Sequence, residues 1–179
     1  MWHLEKIQEE VPWAEYSAPL KVKELWQELE NRDLPPGGSP DVVIAIIDTG
    51  VDYNHPDLKQ NMWINGGEIA GNGIDDDANG FVDDVHGVNV VSDERFHSGD
   101  PDDDHGHGTH VAGIAAAAGH NKIGVVGVAY SSKIMAIKAA QYSGNLTSSD
   151  IAEALNYAIQ NGADVINMSF AQRVRSPVV

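Results

Sequence analysis

Val42-Val43-Ile44-Ala45-Ile46-Ile47-Asp48 is the stretch that decides the fold. Its apolar residues, mostly β-branched, run without a break and end in a carboxylate. A strand with one wet face would alternate apolar and polar side chains, and this one does not. It reads as a strand covered on both faces, the condition of a parallel sheet between two layers. Thr49-Gly50-Val51-Asp52 follows as a turn, so Asp48 stands at the carboxyl end of a buried strand.

Outward from this strand, the chain repeats the same grammar. Lys133 to Ala139 and Asp164 to Met168 are two further buried strands by pattern, and His86 to Val91 is a shorter one. Residues 107–118 predict a helix of small residues, able to lie close against a sheet. Thr147 to Gln160 predicts the clearest helix, with Ile151, Leu155, Ala158 and Ile159 on its apolar face. Thr147 and Asp150 form a capping box at its start, and Asn161-Gly162 ends it. Val22, Leu25, Trp26 and Leu29 fall at helical spacing within 20–31, and Leu34 to Pro40 is a loop by composition. Strand and helix in alternation imply an α/β domain with a parallel sheet. Between Asp52 and Asp104 lies a long irregular excursion rich in Gly, Asn, Asp and Pro, and such loops are commonly functional or ordered by metal.

Composition narrows the function classes. The chain has 179 residues, 42% of them hydrophobic and 21% charged, enough for one domain with a real core. No apolar stretch is long enough to span a bilayer, and Met1-Trp2-His3-Leu4-Glu5 does not read as a signal peptide. There is no cysteine, which excludes disulfides, thiolate catalysis and Cys-ligated zinc. The formal charge of −16 argues against nucleic acid and anionic membranes as partners. The acid is concentrated from Asp75 to Asp104, and carboxylates that dense repel one another unless water, salt or a bound cation screens them.

Two residues stand out chemically. Asp48 lies where functional groups collect in an open α/β sheet, although an aspartate after a strand also serves as a helix cap or Asx-turn residue. His107 opens a helix, and alone it reads as a structural histidine before a catalytic one. Read together, the surrounding motifs favour chemistry. Asp-Thr-Gly-Val-Asp-Tyr-Asn-His-Pro-Asp-Leu at 48–58 resembles the aspartate motif of the subtilisin-like serine peptidases, the subtilases, and His-Gly-Thr-His-Val-Ala-Gly at 107–113 resembles their histidine motif. Ile123 to Ala129, Ser143-Gly144-Asn145 and Asp164 to Ser169 continue the resemblance in register. It covers roughly 40–170, with Trp2 to Gln8 similar to the start of a mature domain.

The resemblance implies a subtilisin-like parallel sheet with helices on both faces, incomplete on its C-terminal side. It divides the chain into an N-terminal segment at 1–40, a partial catalytic domain at 41–170 and a divergent tail at 171–179. It implies acyl transfer at a peptide carbonyl, with His107 as general base and Asp48 fixing the imidazole tautomer. By the same comparison His110 is structural. Ser143, Gly144, Asn145 and Ser169 would flank an extended polypeptide substrate by strand addition. Localisation by family is extracellular or cell-surface.

The pattern then breaks. The family's Gly-Thr-Ser-x-Ala-x-Pro segment and its oxyanion asparagine have no counterpart in these residues; Ser169 and Ser176 lack the context, and Asn167 lies on the strand before the pocket. Resemblance ends near Phe170, as truncation, frameshift or cutting of a longer chain would produce. Loss of the nucleophile costs on the order of 10⁶ in turnover and loss of the oxyanion donor roughly 10²–10³, so this chain alone is expected to be inactive, its missing C-terminal part being a potential partner. The Asp164–Met168 strand would then be an unprotected edge. Two other readings stay open, a non-catalytic calcium- or peptide-binding module and one half of a split peptidase.

Calcium is the expected cofactor, in a structural role. Asp75, Asp77, Asn79, Phe81 (through its carbonyl) and Asp83 have the alternating oxygen spacing of an EF-hand-like loop, with Gly80 at the sixth position. His86 occupies the twelfth position, leaving Asp84 or a distant carboxylate to stand in for the usual Glu; the plain alternative is a solvated acidic loop. Asp57, Asn121 and the carbonyls of Ile123 and Val125 resemble a second calcium site of the family, Asp57 otherwise being a turn cap.

Overall fold

The computed structural model describes residues 20–92 and 99–171. Trp2 to Gln8, Ser176 and all of the tail beyond Ala171 lie outside the described residues. The elements run α1 (Val22–Asn31), β1 (Val43–Asp48), β2 (Gly87–Asn89), α2 (His107–Ala116), β3 (Lys133–Lys138), α3 (Ser148–Gln160) and β4 (Val165–Met168). The strands form one sheet in the order β2-β3-β1-β4, every pair parallel. This is the α/β parallel sheet that the apolar runs predict.

Side-chain alternation along β1 and β3 sorts the core into two layers. Ile44, Ile46, Ile134 and Ala136 face α2, meeting Ala112 and Ala116 together with Val51, Leu58 and Met62. Ala45, Ile47, Met135 and Ile137 face the opposite way, against Ala154, Tyr157 and Ala158 of α3. Helices therefore cover both faces, and β1 lies in the middle with neighbours on each side. From β1 the chain crosses to β2 at one edge, returns through α2 to β3, and then passes through α3 back across β1 to β4 on the other side. In open α/β sheets the carboxyl ends of strands beside such a reversal are the usual place for a site, and Asp48 stands at that end of β1.

Thr147 caps α3 as its sequence predicts: its hydroxyl accepts from the Asp150 N–H at 3.1 Å, and the Asp150 carboxylate returns the bond to the Thr147 N–H. Two expectations need correction. Ile159 is 67% exposed, because the buried stripe runs through Ile151, Ala154, Tyr157 and Ala158, with Leu155 half-buried beside it. β4 is not a buried strand either: Val165 is 51% exposed, since β4 is an edge of the described sheet and packs inward only through residues such as Ile166. Among the described residues no helix is long and apolar enough to cross a membrane.

Candidate active site

Asp48 is the last residue of β1 and only 3% exposed. Its Oδ1 accepts the Thr49 N–H at 2.8 Å and lies 2.7 Å from Nδ1 of His107, the first residue of α2. Its Oδ2 is buried without a hydrogen-bond partner among the described residues. The His107 side chain is 46% exposed. A buried carboxylate on Nδ1 favours the tautomer with the proton on that nitrogen, which leaves Nε2 as the basic lone pair on an accessible ring. Such an arrangement can accept a proton from a nucleophile and stabilise the imidazolium that forms.

Glycine makes the approach possible. A Cβ on Gly108 would stand 2.1 Å from the Gly50 carbonyl oxygen and 3.0 Å from the Asp48 Cβ, so α2 docks on the end of β1 only with a bare backbone there. Gly50 has φ of 107°, a conformation open to glycine at little cost.

The residue that caps α2 is Asp103, which by sequence reads only as part of a solvated acidic approach to that helix. Its Oδ1 accepts from the His105 and Gly106 N–H groups at 3.0 and 2.9 Å and from the Thr49 hydroxyl at 2.9 Å. Its Oδ2 accepts from the Thr109 N–H at 2.9 Å and the Thr109 hydroxyl at 2.6 Å. Burial pushes the Asp103 carboxyl up, but the bonds from Thr109, Gly106 and His105 outweigh it and hold it down to about 2. A carboxylate at a helix N-terminus also complements the helix dipole. Thr49 completes the link, since its hydroxyl accepts the Gly108 N–H at 3.0 Å. The available signal was an aspartate a few residues ahead of a helix whose own N-cap, Gly106, has no side chain.

The proposed substrate-binding residues lie at the same end of the sheet. Ser143, Gly144 and Asn145 follow β3 and are exposed. They form a compact turn rather than an open strand: the Gly144 N–H donates to the Gln141 carbonyl at 2.7 Å and the Gln141 N–H to the Asn145 carbonyl at 3.0 Å. Ser169 follows β4, also exposed, its hydroxyl accepting from the Asn167 amide at 2.9 Å. The exposed rings of His105 and Tyr142 stand 6.5 Å apart, with His105 6.4 Å from His107.

The acidic loop gathers a different set of oxygens from the one its spacing suggests. Asp83 turns to backbone donors, accepting the N–H groups of Gly71, Asn72 and Gly73 at 2.7, 3.1 and 3.0 Å. Asp75 similarly accepts from Asn79 and Gly80 at 3.0 and 2.9 Å. The carboxylates that converge are Glu68, Asp77 and Asp84, one oxygen of each within 4.8 Å of the others. Glu68 lies outside the sequence window that the spacing defines. The Asn79 amide donates to Asp77 at 3.2 Å and to Asp84 at 2.8 Å. Asp84 is fully buried and also accepts from Asn65 at 2.9 Å and from the Tyr157 hydroxyl at 2.5 Å, which pins the loop to α3. Burial and the Asp84 carboxylate push the Tyr157 phenol far above its ordinary range. Phe81 packs its ring edge-on against Tyr157 at 5.6 Å.

The second set is drawn together. Asp57 is buried, accepting from the Asn121 amide at 2.7 Å and from the Val125 N–H at 2.9 Å, while the Ile123 N–H donates to Asn121 Oδ1 at 3.0 Å.

Residues 39–178 match the subtilase family of peptidases (Peptidase S8). The chain belongs to the subtilases. Among similar subtilases are Subtilisin-like protease 1 of Plasmodium berghei, 48% identical over 129 residues, which are 72% of this chain and 21% of that protein. Thermophilic serine proteinase of Bacillus sp. (strain AK1) is 43% identical over 132 residues, 74% of this chain and 26% of the relative. Thermitase of Thermoactinomyces vulgaris is 37% identical over 131 residues, 73% and 38% of the two chains. The chain thus spans well under half the length of these subtilases.

Proposed function

We propose that this chain supplies the aspartate and histidine of a subtilisin-like serine endopeptidase, Asp48 orienting and His107 acting as general base. The observation that carries this is the 2.7 Å contact between a buried carboxylate and a half-exposed imidazole at the carboxyl end of a parallel sheet. A binding module has no need of that pair. Polypeptide substrates, with an extracellular or cell-surface place of action, belong to the same proposal by family. Ser143, Gly144, Asn145 and Ser169 are the proposed flanks of the bound peptide. Residues 1–179 contain no Gly-Thr-Ser-x-Ala-x-Pro segment, so by themselves they do not turn over peptide. The β4 edge, unpaired on its outer side among the described residues, favours a second reading in which another polypeptide carries the serine and pairs there.

Calcium is proposed as a structural ion. Glu68, Asp77 and Asp84 offer clustered hard oxygen donors, which suits it. When bound, it would cross-link the loop and offset its charge. At Asp57 the fit is poorer, because both carboxylate oxygens already accept N–H donors and the Asn121 amide would have to turn its oxygen inward.

The function is tested with casein and the purified chain, alone and mixed with the serine-bearing C-terminal part of a similar subtilase. The chain alone should give no cleavage; the mixture should cleave and lose that activity with His107→Ala or Asp48→Ala. Cleavage indifferent to His107→Ala, or none in any mixture that forms a complex, would count against the proposal.

A further inference from the structure

We infer that Lys138 is a positioning residue: its buried ammonium ties the exit of β1 to the loop delivering His107, and so holds Asp48 and His107 in contact. This rests on reading Asp48 and His107 as a catalytic pair.

Lys138 ends β3 and is 5% exposed, the single buried basic side chain among the described residues. Burying an ammonium is costly unless it is paired and hydrogen-bonded. Here its Nζ donates to the Thr49 carbonyl at 2.8 Å and to Asp104 Oδ1 at 2.6 Å. The first acceptor is the carbonyl of Thr49, the residue directly after Asp48; the second lies on the segment leading into His107. One cation therefore bridges the two strands of chain that must meet for the pair to form.

Register adds a second reason. Lys138 is the direct partner of Asp48 across the parallel β1–β3 ladder, so the two side chains leave the same face of the sheet. The Asp48 carbonyl is itself fixed by the Ala139 and Ala140 N–H groups at 2.8 and 3.1 Å. Asp48, Asp103 and Asp104 bring three carboxyl groups into this corner, and Asp48 Oδ2 has no donor among the described residues. Lys138 is the cation placed to offset them. A second link from sheet to loop runs between Thr49 and Asp103, but it joins a hydroxyl to a carboxylate and supplies no positive charge.

The readout is the imidazole Nδ1–H proton of His107, assigned by proton NMR through its loss in His107→Asn, and its hydrogen-exchange rate. The unaltered chain should show a far-downfield resonance. Lys138→Met should lose it. Asp104→Ala removes only the half-exposed end of the ion pair and should speed exchange by roughly tenfold, the scale of one lost hydrogen bond to a charged group. Asp104→Glu should restore slow exchange. Thr147→Ala, which loosens the distant cap of α3, should leave the resonance unchanged and so separates positioning from general loss of stability. Unchanged exchange in Asp104→Ala overturns the role of Lys138, even where Lys138→Met fails to fold. No downfield resonance in the unaltered folded chain overturns the Asp48–His107 pair itself, and the role of Lys138 with it.

Discussion

The sheet and the acidic part of the excursion, Glu68 to Asp84, satisfy the same backbone groups in opposite ways. In the sheet, N–H meets carbonyl along parallel ladders, and apolar layers close over both faces. In the excursion, carboxylates do the work of carbonyls. Asp83 serves three successive N–H groups, and Glu68 accepts from Asp76, Asp77 and Asp83 at 2.8, 3.3 and 3.0 Å. Both solutions answer the need of a backbone N–H group for an acceptor. They differ in what they respond to. A ladder buried under isoleucine is indifferent to pH and cations; a loop held by carboxylates depends on their ionisation and on what screens them.

Breaking the sheet should give the largest effect. Ile46 is fully buried against α2, and Ile46→Ala should cost about 3–4 kcal/mol in urea unfolding at any calcium concentration. A loss under about 1 kcal/mol, as for a surface change, would mean that β1 is not the centre of the core. Asp84→Ala comes next. It strands the Tyr157 hydroxyl and leaves the Asn65 and Asn79 amides with Asp77 as their remaining carboxylate partner, and should cost about 2–3 kcal/mol. If calcium binds the Glu68, Asp77 and Asp84 oxygens, it should stabilise the unaltered chain by about 2.7 kcal/mol at a hundredfold excess over Kd and leave Asp84→Ala unmoved. An equal gain in both would place the ion elsewhere.

Two neighbouring aspartates sharpen the contrast on the smallest scale. The Asp103 carboxyl is held at about 2 in the folded state, below the usual carboxylate range. A depressed group stabilises above its unfolded value, and that contribution is lost as pH falls through the folded one. Asp103→Asn should therefore cost about 1 kcal/mol at neutral pH, allowing for partial exposure, with the gap closing between about pH 4 and pH 2. Asp102 is raised instead, by burial and then by Asp100. Its ionisation opposes folding as pH rises through the shifted value, so Asp102→Asn should be neutral to slightly stabilising at pH 7. Thermal unfolding of both variants across pH 2–7 checks the sign of each; matching profiles would remove the distinction.

Much of the site was legible because its signals are local. The apolar run before Asp48 fixes a strand buried on both sides, and the residues from His107 to Gly113 fix a helix small enough to reach it. Thr147 and Asp150 sit three apart, so a cap could be read directly. What escaped is whatever depends on separation along the chain. Lys138 is ninety positions from Asp48 in sequence, yet beside it in the sheet, because parallel strands pair only after a crossover. Glu68 joins Asp77 and Asp84 because the loop folds back on itself, and spacing along a single window reports nothing of that. Ile159 and Val165 are apolar enough to look buried, but their exposure depends on what packs beyond them.

Short segments of sequence are enough for the α/β class and for singling out Asp48 and His107, since periodicity and local motifs are properties of such segments. Tertiary structure alone decided which carboxylate caps α2, which cation stands beside Asp48 and which oxygens converge in the acidic loop. Those are contacts between distant segments, and only closing the chain around its core brings them within bonding distance.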